Sequence, residues 1–498
     1  MWFYFVLIIA SLAIYWLRSR YSYWQKRGVP NLPAYFPFGN LQGILGQHMS
    51  ALTKQSYEKL KSPGRKLAGI YFFTNPVAMV LDLEFVKDVL IKDFQYFHDR
   101  GLYFNEKDDP LMAHLLTLEG NKWKILRNKL APTFTSGKMK MMFPVITAVA
   151  ERFQQSLGAV VATGQDIEIK DFLARFTTDV IGTCAFGLEC NSLADPKAKF
   201  REMGRSIFRQ SPVLLMKMLF GLMFRDLARK MHMRVIRKDV GDFFMNAVRE
   251  TVDHREKNNV VRNDFMDLLI KLKNAEPIEE GNTNQLNQLT FNEIAAQAFM
   301  FFVAGFETSS TAMTFCLYEL ARNQELQDKA RKSVLDAVKV HGSMTYEAIY
   351  DMKYVENCIN ESLRKYPPIA NNLRSVTNNY KVPETDIVLE KGCRVIIPIY
   401  AIHHDPEYYP DPEKYDPDRF DPDQVAQRHQ MAFIPFGDGP RICIGMRFGM
   451  MQALVGMACL LQNFRFELAA RTTVPLVIDP SNFIMGPKEG VWLHFEKI

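Results

Sequence analysis

Residues 2–17 (WFYFVLIIASLAIYWL) form an unbroken run without a charge. Wound into a helix at about 1.5 Å per residue, they reach about 24 Å, a little short of a bilayer's hydrocarbon core. Tyr15, Trp16 and Tyr21 suit the headgroup level, and Arg18, Arg20, Lys26 and Arg27 come directly after. Basic residues on that flank place the remainder of the chain on the cytoplasmic side. The pattern predicts an N-terminal membrane anchor over residues 1–20. A cleaved leader would need positive charge before the apolar run and a small-residue cleavage site. Nothing basic precedes the run, and IYWLRSR is a poor cleavage context.

Residues 21–40 are basic and carry Pro30, Pro33 and Pro37. Proline fixes φ and disfavours helix in its predecessor, so a stiff hinge is expected here. From residue 41 to 498 the hydrophobic spacing is mostly that of amphipathic helices. Strand-like runs occur near 68–82 and 393–398. The segment 251–289 is polar and charged, which predicts solvated helix and loop. A length prior of about 150 residues per domain suggests three domains. No linker divides the chain, so one body mainly of α-helix with a small β-sheet subdomain is expected over 41–498.

The stretch 290–320 carries the clearest helical signature. Thr290 and Glu293 fit a capping box, and no proline interrupts 291–320, giving a helix about 45 Å long. Its apolar run, 298–306, is too short to span a bilayer, and Glu307 sits in mid-helix. This is the pattern of a buried central helix.

Of the 498 residues 48% are hydrophobic, ample for a large core, and the net charge is +6. With no basic arm and no dense Lys/Arg cluster, nucleic acid is not an expected partner. The seven cysteines contain no C-x-x-C pair, which argues against a disulfide scaffold or structural zinc.

Cys443 stands apart from the other six. It closes Phe436-Gly437-Asp438-Gly439-Pro440-Arg441-Ile442-Cys443-Ile444-Gly445. Gly437, Gly439 and Gly445 permit backbone conformations and close approaches that side chains block. Such a loop can present one sulfur to a flat cofactor, with amides and Arg441 favouring the thiolate. A lone thiolate suits a metal already held by other atoms, as porphyrin iron is, better than zinc. An inert buried thiol is the plainer reading, and it is kept for Cys316 and Cys459.

Other constellations are weak singly. Glu361 and Arg364 form E-x-x-R, which read alone is a surface ion pair. Trp123 and Arg127 share a helix face at i,i+4. In Ala304-Gly305-Phe306-Glu307-Thr308, Gly305 offers room for a small ligand and a kink. Glu307 and Thr308 offer a proton relay; a satisfied acid and a hydroxyl bonded back to the i−4 carbonyl are the plainer alternative.

Taken together the motifs resemble the cytochrome P-450 family, and in detail its insect microsomal family 6 branch. Phe436, Gly439, Arg441, Cys443 and Gly445 fill the five fixed positions of F-x-x-G-x-R-x-C-x-G. The resemblance implies a haem b cofactor with Cys443 as the metal ligand. It implies that Trp123, Arg127, Arg374, Phe436 and Arg441 bind the cofactor, with Arg100 a weaker candidate, and that Glu307 and Thr308 are catalytic. It places Arg419 of Pro417-Asp418-Arg419-Phe420 with Glu361 and Arg364 in a buried network; Asp418 departs from the family's glutamate.

The function so implied is a monooxygenase at the cytoplasmic side of the endoplasmic reticulum membrane. It would use O2, and electrons from NADPH through a flavoprotein reductase. Lys122, Lys124, Lys129, Lys138, Lys140 and Arg447 are either a docking face for that reductase or ordinary solubility charge. Apolar segments at 102–116 and 213–224, with Phe299, Phe302, Val303, Ile369, Ala370, Leu373, Ile484 and Met485, are either pocket wall or plain core. The substrate expected is lipophilic: xenobiotics, insecticides or hormones. The alternatives are a haem-thiolate isomerase or dehydratase, a non-catalytic haem sensor, and a membrane-anchored scaffold without cofactor.

Overall fold

Two strand-like runs at residues 67–80 meet as a hairpin. Leu67–Phe72 (β1) and Asn75–Val80 (β2) pair antiparallel around a turn in which Phe73 has positive φ. This is a computed structural model, and it describes residues 2–208, 212–262, 264–274 and 288–498. All six β1 residues are buried. β2 continues in parallel to Arg394–Ile397 (β4), which pairs antiparallel with Asn372–Ser375 (β3). The sheet order is therefore β1-β2-β4-β3. A second, three-stranded sheet joins 167–168, Trp492–Lys497 and Phe464–Leu468.

The uncharged N-terminal run forms Trp2–Tyr21 (α1), a helix with Trp2, Phe3, Tyr4, Phe5 and Leu12 exposed. Among the described residues no helix is long and apolar enough to cross a membrane. The connection after α1 lies against the sheet. Trp24 is fully buried, its indole N–H donating to the Ile70 carbonyl at 3.0 Å. It fits because β1 has Gly69 there: a Cβ would lie 2.2 Å from the indole.

A two-stranded ribbon pairs Tyr380–Lys381 with Val388–Leu389, and helices make up most of the rest. Gly120–Leu130 (α2), Ile169–Ile181 (α3), Pro212–Met223 (α4), Phe291–Arg322 (α5), Lys353–Lys365 (α6) and Met446–Asn463 (α7) concern the site. α5 opens on the expected capping box: Thr290 Oγ1 accepts from the Glu293 amide, and the Glu293 carboxylate accepts from the Thr290 amide. It then runs unbroken to Arg322 with α3, α6 and α7 packed around it. Of the polar segment 251–289, helix extends to Asn258 and again over Phe265–Lys273, while residues 263 and 275–287 lie outside the described residues.

Candidate functional site

The cysteine loop folds as its glycines require. Gly437 and Gly439 both have φ of +70°, and a Cβ on Gly439 would lie 1.9 Å from the Leu90 carbonyl oxygen. A 3-10 turn over Gly439–Arg441 brings the Cys443 amide to the Phe436 carbonyl at 2.9 Å. α7 begins three residues past Cys443, so its N-terminal amides and partial positive charge lie beside the sulfur.

Six cysteines are buried; Cys443 is exposed. Burial within the protein mass pushes its thiol up, while a Gly445 hydrogen bond and the charges of Arg127 and Arg100 pull it down. A sulfur both surrounded by protein and accessible faces an interior recess. Neither Cys316 nor Cys459 has an arginine opposing burial; burial alone pushes Cys459 to about 12, and burial, with the Glu319 charge and against hydrogen bonds to Ser362 and Tyr415, pushes Cys316 to about 12.

Four guanidiniums converge near that recess. Ser375 donates its amide to the Asp99 carbonyl at 2.8 Å, bringing Arg100 beside Arg374 on β3. Asn372 Oδ1 accepts from both arginines. Arg441 lies with its guanidinium 4.1 Å from the Trp123 ring centroid and donates to the Leu118 carbonyl at 2.7 Å. Trp123 and Arg127 both belong to α2. Asp99 lies 3.9 Å from Arg441, and the Glu119 carboxylate also acts on that guanidinium.

Charge is out of balance here. Burial, compounded by Arg100 and Arg441, pushes Arg374 far down; burial and Arg100 push Arg441 to about 9, and burial pushes Arg100 to about 10. A guanidinium does not give up its proton near neutrality, so the deficit is a demand for anions. The unmet donors are specific: Arg100 Nε, Arg374 Nε and Nη2, Arg441 Nε and Nη1 are buried without partners. Arginine forks of this kind match carboxylates. A flat group bearing two carboxylates and an iron for one thiolate, as haem does, fits this donor set.

α5 supplies the opposite wall. Its body is buried, but Val303, Ala304, Gly305 and Thr308 are partly accessible. It meets the start of α7, with the Phe301 and Phe448 rings 5.2 Å apart. Thr308 Oγ1 donates to the Ala304 carbonyl at 2.5 Å, the i−4 bond weighed for it from sequence. Glu307 is buried and ion-paired, its carboxylate 2.9 Å from Lys170 Nζ.

Several expectations need correction. Gly305 does not leave open room: a Cβ there would lie 2.5 Å from Ile181 Cδ1, so the glycine lets α3 close on α5. The helix is also continuous through it. Phe299 and Phe302 are core, packed on Phe244, whereas Val303, Ile369 and Leu373 are partly accessible. Ala370, Ile484 and Met485 are buried. Lys129 is buried and belongs to no exposed face, while Lys122 pairs with Glu106 and Lys140 with Glu347.

Glu361 and Arg364 are no surface pair. Both side chains are 0% exposed and joined by two hydrogen bonds, with Arg419 Nε 3.6 Å from Glu361. Asp418 faces outward to Lys329, so the departure at that position leaves the network untouched. Sequence reasoning missed Asp99, Asn372 and Lys170. Asp99 adjoins a flagged residue, Arg100; Asn372 and Lys170 carry no local signal.

One accessible thiol in a glycine loop, beside a nest of arginines whose buried donors are only partly met, defines a haem-thiolate site. The chain belongs to the cytochrome P450 family, matching it over residues 30–494. It is 45% identical over 497 residues to "Probable cytochrome P450 6a20" of Drosophila melanogaster, covering 98% of each chain. It is also 45% identical over 498 residues to "Cytochrome P450 6A1" of Musca domestica, covering 99% of this chain and 97% of that one. The family 6 resemblance is thereby borne out. Membership makes the chain a haem-containing monooxygenase, an oxidoreductase acting with oxygen on lipophilic substrates.

Proposed function

We propose that this chain is a membrane-bound monooxygenase of the endoplasmic reticulum, its catalytic body on the cytoplasmic side. It takes electrons from NADPH through a flavoprotein reductase and places one atom of O2 into lipophilic xenobiotics, insecticides or hormones. The observation that carries the reading is the accessible Cys443 thiol beside Arg100, Arg374 and Arg441, three guanidiniums with unmet buried donors. The membrane part rests on α1, with its exposed apolar side chains and the arginines at its C-terminal end.

Haem, when bound, supplies reductive activation of dioxygen, its iron held by a thiolate. Cys443 holds that thiolate with the Gly445 amide and the field of Arg127 and Arg100 behind it. Arg374, Arg441, Arg100, Arg127 and Trp123 would hold the cofactor's carboxylates, and Phe436 closes the cysteine loop by accepting the Cys443 amide at its carbonyl. Glu307 places a carboxyl group inside α5, ion-paired to Lys170, and Thr308 places a hydroxyl one residue on. This acid–alcohol pair favours the monooxygenase over an isomerase or a sensor, neither of which needs a proton supply.

The test is the absorbance of the reduced, carbon monoxide-saturated protein. The far-red-shifted band of thiolate ligation is expected in the native protein and absent in Cys443→Ala. A folded native protein without the band overturns the reading. NADPH consumption coupled to product with purified reductase, and sedimentation of the full chain with membranes, test the remaining parts.

A further inference from the structure

Arg394 opens β4 and, among the described residues, forms no ion pair. Its Nη2 donates to the Leu222 carbonyl at the C-terminal end of α4, while Nη1 is buried without a partner. A cation suits a helix C-terminus, but that role employs one nitrogen and leaves the other unused. The chain breaks from helix at Phe224 and resumes as the short helix Arg225–Lys230. Arg225 Nη2 donates to the Leu102 carbonyl at 3.0 Å and lies 2.9 Å from Glu119, while its Nε is also buried without a partner. Two guanidiniums thus meet at one corner. Each is pinned to a carbonyl by one nitrogen, and each has another unmet.

The corner is short of negative charge. Glu119 acts on Arg441 as well as Arg225. Burial, then the charge of Arg225, push Arg394 down to about 10. A guanidinium keeps its proton, so the shortfall calls for an anion. The charge felt by Arg394 is that of Arg225 and not of the nest around Cys443. The corner is also held in place. A Cβ on Gly221 would lie 2.8 Å from Tyr103 Cγ, so the glycine lets that ring close on α4. Tyr103 donates its hydroxyl to the Met233 carbonyl at 2.8 Å, and Arg229 Nε donates to the Phe104 carbonyl at 3.3 Å.

The surroundings say what the anion is attached to. Val213, Met216 and Met218 of α4 are exposed, as are Phe224 and Leu227 beside Arg225. Exposed apolar side chains gathered on two consecutive helices mark a surface that meets hydrocarbon. A small inorganic anion would leave that surface unused, and a neutral apolar molecule would leave the nitrogens unmet. Arginine forks match carboxylate and phosphate oxygens alike. We propose that Arg394 and Arg225 bind the oxyanion head of a long-chain amphiphile, a carboxylate or a phosphate, whose chain lies against the exposed apolar side chains of the same corner. Both arginines are partly accessible, so the head can reach them. The site stands outside the cofactor nest and does not depend on the monooxygenase reading.

The experiment titrates the full chain, held in phosphatidylcholine bilayer discs, with dodecanoate, dodecyl phosphate and dodecanol. Calorimetry reads the affinities, and partition into lipid cancels between native protein and variant. Circular dichroism reports folding without reference to haem, so failure of the haem reading leaves the outcome intact. Arg394→Met should weaken both anions about ten- to a hundredfold, the worth of one charge-assisted bond, and leave dodecanol within about twofold. Arg225→Met should weaken the anions likewise. Arg394→Lys, which keeps the charge without the fork, should fall between, and it decides the matter with Arg225→Met if Arg394→Met fails to fold. Phosphatidic acid added to the discs distinguishes the two sources. Competition with dodecanoate identifies a membrane lipid as the occupant, and no competition identifies a free acid. Dodecanol binding as tightly as dodecanoate to the native protein, or folded variants with native affinity for both anions, overturns the proposal.

Discussion

Arg374 lends itself to a test in which two stabilities move in opposite directions. Its side chain is fully buried, only Nη1 donates, to Asn372 Oδ1 and the Leu373 carbonyl, and Nε and Nη2 have no partner. Each unmet buried donor costs about 1–3 kcal/mol. Methionine keeps most of the apolar stem and forfeits bonds worth about 1 kcal/mol. Arg374→Met should therefore stabilise the haem-stripped protein by about 2–4 kcal/mol, read from urea unfolding. With haem present, the two donors would each make a charge-assisted bond of about 1.5–3 kcal/mol. Losing both weakens haem retention by about two to four powers of ten, at about 1.4 kcal/mol per power. Transfer of haem to apomyoglobin measures that loss. If the stripped variant is less stable than native and transfers haem at the native rate, the unpaired donors do not await a carboxylate and the reasoning fails.

Glu361→Ala leaves Arg364 charged and unpaired at 0% exposure and should cost about 3–5 kcal/mol in denaturant unfolding; a loss below about 1 kcal/mol would place the pair in water. Gly305→Ala should overpack the α3–α5 contact by about 1–3 kcal/mol, and Ile181→Val should recover part of it, a coupling that additive mutants would disprove. Burial pushes His114 down to about 4 and His403 to about 3, while the unfolded chain binds these protons near the ordinary value of about 6.5. As pH falls below that value the unfolded state takes up protons the folded state refuses. Stability should then drop by about 1.4 kcal/mol per pH unit for each histidine, with no contribution above about pH 7. Urea midpoints between pH 7.5 and 5 should show a slope shallower by about one such increment in His114→Gln; identical slopes would refute the assignment.

Legibility in the sequence tracks the range of the interactions involved. The capping box of Thr290 and Glu293, the strand-like run near 68–82 and the glycine-dependent turn at Gly437–Gly439 are set by residues within a few positions of one another, and each formed as expected; that the run folds back on itself as a hairpin is an addition of the structure. The arginines of the cofactor nest could be named because motifs flagged them. Their shared state could not, since it depends on β3 lying against Asp99 and on α2 lying under Arg441. Gly305 shows the limit most sharply. A glycine announces that something must come close, but not what, and here Ile181 fills the space once reserved for a small ligand. Glu307 shows it again: a mid-helix acid demands a partner, and Lys170, on a different helix, stands in no motif. E-x-x-R was weak as a pattern because an i,i+3 pair says nothing about burial. The strength of that pair comes from the carbonyls of His403 and Lys414 and from the Arg419 side chain, which close over it and keep water out. Charge and shape at the site are thus properties of packed helices. The sequence names the chemical groups; only the packing decides which of them lack a partner, and an unpartnered buried charge is what marks a place for a cofactor.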